Sequence, residues 1–136
     1  MRYWLIKSDP ETYDWARLVR DKGTRWDGVR NALAKRFLSE MRVGDKALFY
    51  HSQTDKAVVG TVRITKAAYP DPTASSGSWL CVDIGPQEAW EKPVTLAELK
   101  RDAQLKELAM LRQSRLSVSP VSMQEWNVIQ DLRSAV

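Results

Sequence analysis

The chain has 136 residues, 43% of them hydrophobic, and 21 Lys and Arg against 17 Asp and Glu give it a net charge of +4. That length suits a single domain, residues 1–136, with a core of its own; one cysteine (Cys81) and one histidine (His51) exclude a disulfide scaffold and a Cys/His zinc set. No apolar run approaches a membrane span, and charge interrupts Met1–Lys7 too early for a signal peptide, so a soluble, cytoplasmic monomer without metal, cofactor or membrane partner is expected.

Arg2 to Lys7 is rich in aromatic and branched residues and predicts a strand, ended by Ser8-Asp9-Pro10. Asp14 caps a short helix through Val19 that buries Trp15 and Leu18, with Gly23 past its end. A second helix runs from near Arg30 to about Met41, with Leu33, Phe37, Leu38 and Met41 at helical spacing. After the turn Arg42–Asp45, two strands (Lys46–His51 and Ala57–Ala67) flank the polar hairpin Ser52–Lys56, and Gly60 marks a bulge or a close backbone approach. Tyr69 to Ser78 is a breaker-rich surface loop. Strands follow at Trp79–Ile84 and Glu88–Val94, with Cys81 a buried structural thiol. Thr95-Leu96-Ala97-Glu98 has the form of a capping box, a break falls near Asp102, and Leu105–Arg112 is helical. Leu116–Val121 alternates like a short strand that Pro120 confines to an edge or strand end, and Ser122-Met123-Gln124-Glu125 caps a closing helix. Five or six strands among short helices predict an α+β fold with a small curled sheet or partial barrel.

Positive charge gathers between Arg20 and Arg36, where six basic residues face two acidic ones. Such a run reads either as a solvated helix face or as a phosphate-attracting surface. Within it, Trp26-Asp27-Gly28-Val29-Arg30-Asn31 sets an indole, a turn, a guanidinium and an amide where a helix begins. Trp26 as a flat wall and Asn31 as a donor and acceptor supply parts of a pocket for a planar ligand such as a nucleobase. By themselves these residues favour the plainer alternative, with Trp26 a core anchor and Asn31 a helix-start residue.

Several chemistries have no signature here. No glycine-rich phosphate loop occurs. His51 and Ser52 are neighbours on a strand and point to opposite faces, so they form no nucleophile and base. Lys7, ending a strand beside the presumed pocket, is the one side chain suited to proton transfer, and only if burial lowers its pKa.

Tyr3-Trp4-Leu5-Ile6-Lys7-Ser8-Asp9-Pro10, Trp26–Asn31, Leu48-Phe49-Tyr50-His51-Ser52, Val58-Val59-Gly60, Tyr69-Pro70-Asp71-Pro72-Thr73 and Arg115–Val121 resemble, in order, the successive motifs of the EVE domain. That family is PUA-like and related to YTH domains. The resemblance implies a curled β-barrel of five or six strands with short helices packed around it. It also implies a pocket in which Trp26 walls a methylated base, Ser8 and Asn31 meet its polar edge, Trp79 is a second wall, and Tyr50 or His51 lines the floor. Lys7, Arg25, Arg30 and Lys35 would hold phosphates. The chain departs from the family where Ala32-Leu33-Ala34 replaces the usual Tyr-Gln-Ala, and in a shortened loop after Thr73. The function expected is a non-catalytic module that binds a modified base in DNA or RNA. The alternatives are an amidohydrolase-type enzyme acting on a modified nucleoside and a peptide-binding module.

Overall fold

The structure, a computed structural model, describes residues 1–134. Its strands are β1 (Tyr3–Ser8), β2 (Thr24–Trp26), β3 (Lys46–His51), β4 (Ala57–Pro70), β5 (Leu80–Thr95) and β6 (Val118–Val121). Its helices are α1 (Trp15–Asp21), α2 (Ala32–Glu40), α3 (Leu96–Arg101), α4 (Ala109–Arg112) and α5 (Met123–Ser134), with a 3₁₀ turn at Ala103–Leu105. The caps fall where the sequence places them. Asp14 accepts from Arg17 N–H, and Thr95 with Glu98 and Ser122 with Glu125 form reciprocal capping boxes.

The strands form one sheet in the order β2-β5-β4-β3-β1-β6, antiparallel throughout except for the parallel pair β1 and β3. The sheet is open, with β2 and β6 as its edges, so the expected barrel closure is not found. The reason lies in how the strands bury. Trp4, Ile6, Ala47 and Phe49 enter one core with α1 and α2, while Leu5, Leu48 and Tyr50 enter a second core with α3, α4 and α5. A sheet sandwiched between two helical layers buries both faces, and its inner strands then read as continuous apolar runs rather than alternating ones. Trp4-Leu5-Ile6 and Ala47-Leu48-Phe49-Tyr50 are such runs.

Two other expectations are corrected. The strands expected at 79–84 and 88–94 are one long β5, whose register against β4 shifts at several points, so it bends without breaking. β2 is not expected at all; three residues carry too little pattern to be seen. Gly60 sits at a register shift, and a Cβ there would meet Glu88 O at 2.6 Å and the Trp15 ring at 2.7 Å. Only glycine leaves room for Trp15 to lie across β4. Asp45 fixes the start of the sheet. Its buried carboxylate accepts from the Arg2 and Arg42 amides and from Trp4 Nε1 at 3.0–3.1 Å. Burial alone would raise its pKa, but these donors outweigh burial and hold it below the usual carboxylate value.

Candidate functional site

Pairing of β2 with β5, Trp26 opposite Val82, carries the Trp26 indole to the open end of β1. Phe49 and Tyr13 meet it nearly perpendicular, at 77° and 72°, with ring centroids 5.7 and 6.0 Å away. Neither ring takes the stacked position, and a cavity of about 530 Å³ lies against the indole. Ser8, Asp9 and Tyr13 form the side facing β1, and Arg17 and Arg25 add positive charge. Trp26 is thus half-buried, a core contact on its edges and a wall on the cavity side.

The cavity's walls are held by hydrogen bonds internal to the protein. The Ser8 hydroxyl donates to the Tyr13 carbonyl, and the Ser8 carbonyl accepts from Ser52 N–H at 2.9 Å, so β1, the following loop and β3 close together at this residue. Tyr13 OH donates to Asp21 at 2.9 Å; burial and that carboxylate raise its pKa. Arg17 lies 5.1 Å from the Tyr13 ring centre and Arg25 pairs with Asp27 at 2.9 Å. Lys7 borders the cavity too, but its ammonium donates to Ser114 O at 2.7 Å, and burial lowers its pKa.

The turn after Trp26 is fastened by Asp71, which the sequence pattern places in a surface loop. Gly28, at φ +80, donates its N–H to Asp71 Oδ2 at 2.9 Å, and Arg30 Nη1 reaches the same oxygen at 2.9 Å. Thr73 supplies its N–H and hydroxyl to Oδ1 at 2.7 and 2.6 Å, and accepts Arg30 Nη2 at 3.2 Å. The Asp71 side chain is fully buried. Burial pushes its pKa up, but the donors from Thr73, Gly28 and Arg30 prevail and hold it well below the usual carboxylate range. Part of the signal was in the sequence: Pro-Asp-Pro-Thr is an Asx-turn pattern, which accounts for the Thr73 contacts but not for Arg30.

The remaining expected site residues lie elsewhere. Asn31 caps α2 by accepting Ala34 N–H at 2.9 Å and borders a separate groove with Arg115 and Leu116. Trp79 has Arg30 and Lys35 each 5.8 Å from its ring centre, with Lys35 also bonded to Ser78 at 2.8 Å. Tyr50 is buried in the second core. His51 is buried, its Nε2 accepting from Trp15 N–H at 3.2 Å and its Nδ1 3.0 Å from Asp55. That network assigns the proton to Nδ1 and leaves the imidazole no free nitrogen. Of the candidates, Trp26, Ser8, Lys7 and Arg25 meet at one cavity, whereas Asn31, Trp79, Tyr50, His51, Arg30 and Lys35 do not line it.

Among the described residues no group of three or more His, Cys, Asp or Glu is arranged to hold a metal ion, and no helix is long and apolar enough to cross a membrane. Rat thymocyte nuclear protein 1 is 32% identical, over 98% of this chain and 74% of its own length. The structure of human THYN1 protein in complex with 5-methylcytosine-containing DNA superposes with a TM-score of 0.93 at 29% identity, covering 100% of this chain and 99% of that one. A yeast YTH domain, from Zygosaccharomyces rouxii MRB1 protein in complex with N6-methyladenosine RNA, shares the fold at TM-score 0.63 and 16% identity, over 99% of this chain and 88% of that one. The EVE domain family model matches residues 2–132, and with motifs, fold and relatives agreeing along nearly its whole length, the chain belongs to the EVE domain family.

Proposed function

We propose that this chain is a non-catalytic, monomeric reader of a modified base in nucleic acid, with 5-methylcytosine in DNA the first ligand to test. The observation that carries the proposal is the open cavity against Trp26, whose stacking position neither Phe49 nor Tyr13 takes. The likeness to human THYN1 protein, solved with 5-methylcytosine-containing DNA, supports the choice of ligand. In this reading the base leaves its helix or comes from a single strand and stacks on Trp26, while backbone groups at Ser8 and Asp9 meet its edge. Arg17, Arg25 and Lys7 draw the flanking phosphates.

The energetics set what such a site must do. Stacking contributes about 1–3 kcal/mol per base, and flipping costs a few kcal/mol, so the two nearly cancel. Net affinity then comes from edge contacts and phosphates. One buried methyl adds about 0.8 kcal/mol, roughly fourfold in affinity, so stronger discrimination needs a close-fitting wall. Asn31 and Trp79 enter this reading only if the loops carrying them move on binding. The cytoplasmic placement expected from the sequence is not carried over, since the rat relative is named a nuclear protein.

The test is Trp26→Ala, measured against oligonucleotides with and without the modification. Base discrimination should vanish, leaving weaker, salt-sensitive binding. A folded Trp26→Ala protein that still discriminates would overturn the proposal. Turnover of a modified nucleoside by the wild-type protein would favour the enzyme instead.

A further inference from the structure

A second cavity, of about 460 Å³, opens on the other side of Lys7. Its floor is apolar, made by Tyr50, Leu96, Met110 and Leu111, and its charged lining is wholly cationic: Lys7, Lys56, Lys100 and Arg115. These four come from the end of β1, the β3–β4 hairpin, α3 and the segment before β6, so no charge run in the sequence announces them. Among the described residues Lys56, Lys100 and Arg115 make no ion pair. Cations gathered without carboxylates repel one another, and an anion relieves that repulsion.

Lys7 borders both this cavity and the one against Trp26, so the two are adjacent along any strand that passes β1. A free anion would need only the cations. The apolar residues beside them, with Ser52 and Ser117 also in the lining, suit a ligand that carries charge at one end and a flat apolar body at the other. A nucleotide has that form.

We propose that this cavity is the subsite for the nucleotide next to the modified base, with Lys56, Lys100 and Arg115 joining Lys7 on its phosphate and Leu96, Met110 and Leu111 under its sugar and base. The proposal rests on the Trp26 reading and adds a direction to it. The strand is engaged on one side of the modified base more than on the other.

The experiment uses the whole protein and its Lys56→Ala/Lys100→Ala variant, both surface changes. The probes are 5-methyldeoxycytidine, and single-stranded DNAs in which 5-methylcytosine is extended only on its 5′ side or only on its 3′ side. Unmethylated counterparts serve as controls. Extension on one side should raise affinity and extension on the other should not. The double variant should lose that gain while binding the nucleoside as the wild type does. Its salt dependence should also flatten, the slope of log affinity against log salt falling by up to about 0.7, the value for one single-strand phosphate that is no longer neutralised. Equal gains on both sides, or a gain that survives in the double variant, overturn the subsite and leave the Trp26 reading standing. Methylated probes that bind the wild type no better than their controls overturn the reading and the subsite with it.

Discussion

The two cavities that meet at Lys7 are built on opposite plans. On the Trp26 side and along the motif that follows it, three cations already have side-chain partners: Arg25 with Asp27, Arg30 with Asp71, Lys35 with Ser78. On the other side Lys56, Lys100 and Arg115 have no such partners among the described residues. The cation-rich stretch of sequence, Arg20 to Arg36, therefore spends much of its charge on holding its own loop in place. The cations that line the second cavity are instead scattered along the chain. Charge density in a sequence and charge offered to a ligand are different quantities, because folding brings carboxylates to some cations and not to others.

The change expected to disturb this contrast most is Asp71→Asn. It weakens donors from Gly28, Arg30 and Thr73 at a fully buried carboxylate, and the loss should be about 3 kcal/mol of unfolding free energy, the upper end for hydrogen bonds to a charged group. Denaturant titration checks it. Stability equal to the wild type would mean that Arg30 is as uncommitted as Lys56.

Acid sharpens the same comparison. Asp71 and Asp45 hold their protons more weakly in the folded chain than a free carboxylate does. The unfolded chain then binds more protons, so their stabilisation is complete above about pH 4 and is lost as pH falls further. Melting temperature measured across that range should drop in the wild type. The drop should be shallower in Asp71→Asn, and equal slopes would remove Asp71 from the account.

The smallest effect is expected at Lys35→Ala, on the engaged side. Stability should stay within about 0.5 kcal/mol, as for most surface changes, and the salt slope of oligonucleotide binding should match the wild type. A slope reduced as much as in the Lys56 and Lys100 double variant would erase the distinction between the two regions.

Legibility followed the range of the interaction. Asp14, Thr95 with Glu98, and Ser122 with Glu125 each act within a few residues of themselves, and all three caps stand where the chain pattern puts them. Pro120 at an edge or strand end was legible for the same reason, since a residue without an N–H is confined to such positions in a sheet, and β6 is an edge. Asn31 shows the limit. Its plain role, capping α2, was readable, but whether its amide faces the Trp26 cavity depended on the path of the whole loop, and it lies on another groove.

From the sequence alone came most of the elements, the helix caps, the family motifs and Trp26 as the candidate wall of a pocket. Only the tertiary structure decided that the sheet stays open between two helical layers, that Asp71 takes up Arg30 across forty-one positions, and that four distant cations share one cavity. Local hydrogen bonds and periodicity are written into neighbouring residues, whereas pairing across the fold depends on which distant groups arrive at the same place, and burial then fixes which of those pairings endure.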